Sequence, residues 1–206
     1  MYIIVGLGNP GEEYESTRHN VGRFIATSFA KQYELPDFSY DKKFLGLVSK
    51  GEIEAGKGKS KIVEKVTVIL PETFMNKSGK SLADLITSEK KAEKLIVIQD
   101  DLDLPFGAIK MVFNRGMGGH RGLESIRKAI KTDAFIRVKI GVSPTTPTGK
   151  IKKPKGEEKV VKFILGKFKD DEMNELKKIA KRVSEGLYVT VTEDRFKAMN
   201  SLNTAN

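Results

Sequence analysis

Ile3-Ile4-Val5-Gly6-Leu7-Gly8-Asn9-Pro10-Gly11, with Tyr14 and Thr17-Arg18-His19-Asn20 close behind, begins as a β-branched strand and ends as a turn. Strand 2–6 stops where Gly, Asn and Pro take over, residue types that let backbone N–H groups lie close to whatever binds. One of only two histidines in 206 residues then stands directly in front of a helix. That helix is predicted from about Asn20, its N-cap, because Val21, Phe24, Ile25 and Phe29 recur near i, i+3, i+4 and i+8. Strand, turn and helix in that order open an α/β unit, and an imidazole at their junction points to hydrolytic chemistry.

The alternation continues along the chain. Residues 44–50 and 62–70 read as strands joined by the Gly/Lys-rich 51–61, which has the composition of an exposed hairpin loop. Pro71 to Gly79 breaks the pattern, and a short helix is expected to carry Leu82, Leu85 and Ile86. Leu95-Ile96-Val97-Ile98 is predicted to be a strand buried on both faces that stops at Asp100-Asp101. Strand 108–113, glycine-rich loop 116–122, helix 123–131 and strand 135–142 follow. A lysine-rich loop, 143–159, leads into Val160 to Leu165, and helices over about 170–186 and 190–199 close the chain. Strands interleaved with helices predict a single three-layer α/β domain over 1–206, and the hairpin makes its sheet mixed rather than purely parallel. Ligands in such sheets gather beyond the C-terminal strand ends.

Composition narrows the chemistry. No Cys excludes disulfides, thiol catalysis and zinc–thiolate sites, and two His leave little room for a His-based metal centre. No apolar run approaches the ~20 residues that cross a bilayer. The N-terminus has no basic flank followed by an apolar segment and a cleavage site, so a cytoplasmic protein with no membrane partner is expected. Lys+Arg 37 against Asp+Glu 27 gives +10, which favours a polyanionic partner, nucleic acid first. Lysines that merely solvate the surface would give the same balance.

Several motifs mislead. Gly6 to Gly11 satisfies G-x-G-x-x-G, but Pro10-Gly11-Glu12-Glu13 puts two carboxylates where a pyrophosphate would sit, and no second strand ends in an acid ~20 residues on. A nucleotide-dependent oxidoreductase would need a helix that starts inside residues 8–11. Gly58-Lys59-Ser60 and Gly79-Lys80-Ser81 resemble a P-loop ending, yet the required first glycine is Ile53 in one and Phe74 in the other. Asp101-Leu102-Asp103 looks like the start of a calcium loop, with Pro105 and Val112 on ligand positions. No metal or cofactor is expected.

Three pieces are left over from packing: Asn9 to His19, Thr73 to Gly79, and Gln99 to Pro105, each after a strand. Brought to one rim they supply a His, a carboxylate and two amides, the minimum kit for hydrolysing an ester with water. His19 would be the general base, Asp100 would hold its tautomer, and Asn9 and Asn76 would stabilise the oxyanion. Singly, each has an ordinary role as turn residue, N-cap, strand-end carboxylate or surface side chain.

The segments 6–22 (GLGNPGEEYESTRHNVG), 73–79 (TFMNKSG), 100–107 (DDLDLPFG), 118–126 (GGHRGLESI) and 159–168 (KVVKFILGKF), in that order and spacing, resemble bacterial-type peptidyl-tRNA hydrolase. The resemblance runs from about residue 2 to 168, with C-terminal helices of matching character. It implies a monomeric α/β globule with a mixed, twisted sheet, no metal or cofactor, and cleavage of the ester between a peptide and the 3′-terminal ribose of tRNA, which frees tRNA from stalled or dropped-off translation products. Carried over by motif, His19 is the base and Asp100 its support, while Asn9 and Asn76 hold substrate carbonyls and help exclude aminoacyl-tRNA with a free amine. Tyr14, Phe74 and Met75 would shape the peptide and terminal-nucleotide channel.

Two departures bear on function. Where the family usually carries His-Asn-Gly, whose Asn orders the attacking water and contacts the peptide, this chain reads His120-Arg121-Gly122, and Arg121 offers five donors but no acceptor for positioning that water. Arg121 could instead grip a substrate carbonyl or phosphate, or serve as one more RNA contact. The family's phosphate-gripping pair corresponds to Val112 and Lys139, and Lys110 with Lys139 is expected to hold the tRNA 5′-phosphate by point charges. Loop 143–159 looks longer than usual, either a solvated insertion or an extra arm along the tRNA backbone. An RNA-binding protein on the same scaffold that has lost turnover is the competing function, with Arg121 as its one supporting feature.

Overall fold

The structure is a computed structural model that describes residues 1–58 and 61–204. Seven strands form one sheet: β1 (Tyr2–Gly6), β2 (Ser39–Asp41), β3 (Gly46–Ala55), β4 (Ile62–Pro71), β5 (Leu95–Pro105), β6 (Ile109–Phe113) and β7 (Ile136–Ser143), in the order β2-β3-β4-β1-β5-β7-β6. The central pairs β4-β1, β1-β5 and β5-β7 are parallel, and the outer pairs are antiparallel, so the sheet is mixed as expected. Period-2 alternation sends Ile4, Ile96 and Ile98 to one face and Ile3, Val5, Leu95 and Val97 to the other. Long helices cover the first face: α1 (Val21–Gln32), α5 (Asp170–Thr192) and α6 (Arg195–Thr204). The second face is covered by α3 (Arg121–Ile130) and the segment around Met75, Leu82 and Ile86. Two short helices remain, α2 (Glu89–Ala92) and α4 (Glu157–Ile164).

Some boundaries differ from the sequence reading, each for a physical reason. The hairpin loop expected over 51–61 is mostly strand: β3 continues to Ala55 because Ile53 on that polar stretch is buried against the helical layer. Part of the turn, with Lys59 and Ser60 of the P-loop-like stretch, lies outside the described residues. The helix expected to carry Leu82, Leu85 and Ile86 is absent; a 3-10 turn over Met75–Ser81 runs into turns instead, still burying Leu82 and Ile86. Strand β5 does not stop at Asp100. It outruns β1, which ends opposite Ile98, and continues beside β7 before its register shifts between Asp101 and Pro105. Asp100 is thus buried while facing the space above the end of β1. Loop 143–159 is folded back on itself, with Thr146 N–H on Lys150 O at 2.8 Å and Lys152 N–H on Pro144 O at 2.8 Å, and its last residues open α4. The helix expected over 170–186 runs on to Thr192.

Close approach of α1 to the sheet sets the place of everything that follows. A Cβ on Gly22 would overlap Ile98 O and sit 2.7 Å from Leu7 O, and a Cβ on Gly6 would sit 2.6 Å from Ala26 Cβ. Only paired glycines let helix and strands meet at this distance. The turn just before α1 is thereby held over the C-terminal end of β1 and the middle of β5, beside Asp100.

Candidate active site

His19 sits in a 3-10 turn, Arg18–Asn20, that the chain pins from the far side. Arg18 N–H donates to Gly166 O at 3.1 Å, Phe168 N–H to Ser16 O at 2.9 Å, and Thr17 bridges Lys167. The Arg18 guanidinium bonds Gly166 O and Lys167 O, pairs with Glu172 at 3.0 Å and lies 4.6 Å over the Phe163 ring. Held this way, His19 Nδ1 stands 2.8 Å from Asp100 Oδ1, both groups buried. Against an ionised carboxylate Nδ1 carries the proton, which leaves Nε2 bare and able to accept one. Burial by itself would raise the Asp100 pKa, but His19 and His120 outweigh it and hold the carboxyl well below the usual carboxylate range.

The amides are built in differently from one another. Asn9 Oδ1 accepts from Met75 N–H at 2.9 Å, which fixes the flip of the amide and leaves Nδ2 as its donor to the cavity. Its backbone is clamped twice by Asn20, whose Oδ1 accepts from Asn9 N–H at 2.9 Å and whose Nδ2 donates to Asn9 O at 2.8 Å. Asn20 occupies the N-cap position of α1 but makes no side-chain cap bond, a correction to its expected role: its amide is spent on Asn9. Asn76 is exposed on the 3-10 turn and lines the same cavity.

That cavity, about 610 Å³, brings together Asn9, His19, Asp100, Asn76, Phe74, Met75 and Arg121. Val160, Val161, Ile164 and Leu165 of α4 and its last turn add an apolar wall. Tyr14 does not line it; its carbonyl accepts from Thr17 Oγ1 at 2.8 Å and so shapes the His19 turn instead of the channel. Lys110 and Lys139 are direct partners across β6 and β7, away from the cavity lining. Lys139 Nζ is engaged by Asp101 at 2.6 Å, while Lys110 is exposed and makes no ion pair among the described residues. Arg121 pairs with Glu157 across the cavity mouth, and Lys153 reaches Asp103 at 2.6 Å beside it.

Two residues without an expected role also stand here: His120, whose Nε2 is 3.1 Å from the same Asp100 oxygen, and Arg137, fully buried, whose Nη1 donates to Gly116 O at 2.6 Å and steadies the start of the glycine-rich loop. Burial lowers the Arg137 pKa, against the pull of Asp133 and Asp101. A histidine beside a quoted motif was a usable signal for the first; a buried Arg within an apolar strand gave none.

His19, Asp100 and His120 offer two imidazole nitrogens and a carboxylate oxygen within 4.8 Å of one another, a donor set that zinc uses. The outer hydrogen bonds run the wrong way for a metal. A ligating imidazole gives its remaining N–H to an acceptor, whereas His120 Nδ1 faces the N–H groups of Gly122 and Leu123.

A family model described as peptidyl-tRNA hydrolase matches residues 3–206. The peptidyl-tRNA hydrolase of Syntrophotalea carbinolica is 35% identical over 204 residues, covering 98% of this chain and 97% of that protein. That of Dehalococcoides mccartyi is 38% identical over 206 residues, covering 99% and 100%. The crystal structure of peptidyl-tRNA hydrolase from Acinetobacter baumannii is similar with a TM-score of 0.83 at 31% identity, over 98% of this chain and 94% of that one.

Proposed function

The chain belongs to the peptidyl-tRNA hydrolase family, and on that premise we propose that it hydrolyses the ester between peptide and tRNA with His19, Asp100, Asn9 and Asn76 as its machinery. The observation that carries this reading is the buried 2.8 Å contact from His19 Nδ1 to Asp100 at the wall of the cavity. His19 Nε2 takes a proton from water as the oxygen attacks the ester carbonyl carbon. Asp100 stabilises the imidazolium as it forms. The carbonyl π bond becomes an oxyanion, to which Asn9 Nδ2 and Asn76 donate. Collapse breaks the bond to the ribose oxygen, which leaves with the proton from the imidazolium, giving free tRNA and a peptide carboxylic acid that loses its proton to solvent.

The apolar side chains of α4, with Phe74 and Met75, suit a peptide of mixed sequence. Lys110, with Lys139 behind it, suits a phosphate of the tRNA end, and Arg121 and Lys153 at the mouth suit its backbone. Both cores share one sheet, which supports a single domain, and we read it as acting as a monomer. The hydrogen-bond sense at His120 supports a metal-free reaction. Translation products as substrate support a cytoplasmic site of action, and no helix among the described residues is long and apolar enough to cross a membrane.

The test uses N-acetyl-aminoacyl-tRNA and its unacetylated counterpart, with chelator present, and follows release of free tRNA. Cleavage of the acetylated ester alone is the expected result. Tight binding of both without cleavage would replace this reading with RNA binding on a hydrolase scaffold.

A further inference from the structure

Asp100 Oδ1 has two partners. His19 Nδ1 approaches at 2.8 Å and His120 Nε2 at 3.1 Å, with the two rings 5.2 Å apart and tilted by 40°. The other nitrogen of His120 faces Gly122 N–H at 3.2 Å and Leu123 N–H at 3.4 Å, the first donors of α3. Both groups are donors only, so Nδ1 must be bare and the proton must sit on Nε2, aimed at the carboxylate. A second proton on Nδ1 would be driven into two N–H groups at the positive end of a helix.

We propose that His120 is a positioning residue for the hydrolysis, locked by the α3 N-terminus as a neutral Nε2–H donor that turns Asp100 toward His19. The proposal rests on the reading of His19 as the base. The two histidines of the chain then stand as opposite tautomers on one oxygen: His19 protonated at Nδ1 and bare at Nε2, His120 the reverse. A lone carboxylate with one partner can rotate about its Cβ–Cγ bond; a second donor on the same oxygen removes that freedom, and with it the freedom of the imidazole to swing from the attack line. The arrangement also joins the base to the glycine-rich loop. Gly118 and Gly119 take φ of 63° and 74°, conformations that only glycine adopts freely, and they bring the chain into His120 at the required angle. The helix whose first residue lines the cavity therefore sets the geometry of the group that reacts in it.

The chain holds two histidines, so imidazole ¹⁵N labelling gives two spin systems to assign by His120→Asn. In the wild type, opposite tautomers are expected, with His120 Nδ1 unprotonated; an Nδ1-protonated His120 overturns the proposal. His120→Asn keeps a side-chain acceptor for the α3 cap but is too short to reach Asp100. It should lower kcat about tenfold, below the ~10²-fold of a 1 Å misplacement, with KM nearly unchanged. His120→Gln, with a longer N–H donor, should recover part of kcat. Wild-type kcat in His120→Asn, together with an unchanged His19 spectrum, would leave His120 as a helix cap and nothing more. The tautomer spectrum needs no turnover, so failure of the hydrolase reading and failure of this one are separately visible.

Discussion

Asn9 divides one amide between structure and chemistry. Its oxygen holds Met75 N–H and its nitrogen serves the cavity, so Asn9→Asp should separate the two. The aspartate keeps an acceptor for Met75 and repels the oxyanion, and kcat should fall about 10²–10³-fold with the thermal midpoint close to wild type. A loss of stability without a loss of kcat would return Asn9 to the turn residue it could have been. At Asp100 the sign of the pH effect follows from its lowered pKa in the folded state. The unfolded chain titrates this group near ~3.9, so its stabilising contribution is complete above that pH and is lost as pH falls toward the folded value. Urea midpoints of wild type and Asp100→Asn should therefore keep their full difference down to about pH 4 and draw together only as pH falls further toward the folded value. A gap that stays constant from pH 7 to pH 3 would contradict the depressed carboxyl. His19, Asp100 and Asn9 were legible in sequence because rare or reactive groups follow strands there. Asn20 and His120 were harder, since their roles depend on which neighbour each side chain faces. Tyr14, expected to shape the channel, does not line the cavity, and its carbonyl accepts from Thr17 Oγ1 in the turn before His19.

At the scale of elements, α1 is held against β1 and β5 by Gly6 and Gly22, and that contact carries the His19 turn. Gly22→Ala should cost about 1–3 kcal/mol by overpacking and lower kcat as well, because the added methyl lifts the helix start that positions the imidazole. Calorimetry with a parallel rate measurement checks it, and a stability loss with wild-type kcat would break the link between helix contact and base. Across the cavity mouth, Arg121 with Glu157 and Lys153 with Asp103 tie α4 and its leading loop to the rim. These pairs are exposed, so Glu157→Gln should change stability by only about 0–1 kcal/mol. Its effect belongs on KM: Arg121, released from Glu157, should gain affinity for the polyanion. An increased KM would mean that the pair holds the channel open. The order and type of most elements could be read from hydrophobic period. What escaped was set by tertiary contact: β3 extended by Ile53, β5 carried past Asp100 by β7, and the 75–86 segment buried without a regular helix.

For the molecule as a whole, +10 is a long-range property that no single contact displays. The lysine-rich loop supplies part of it, and there Lys150, Lys152 and Lys155 are exposed. Changing these three to Gln should flatten the dependence of log Kd for tRNA on log salt and leave kcat unaltered, since none lines the cavity. An unchanged slope would make the loop a bystander in binding. Charge, the mixed sheet and the rim of polar residues were all visible in the sequence; the clasp over the cavity was not, because it pairs residues from distant segments. The most direct measurement is single-turnover release of tRNA from an N-acetyl-aminoacyl-tRNA by His19→Ala, with affinity for the same substrate measured alongside. Loss of about 10²–10⁴-fold in rate at near-wild-type affinity is expected, because the imidazole acts on water and not on phosphates. Near-wild-type turnover in that variant would contradict the assignment of His19 as the base.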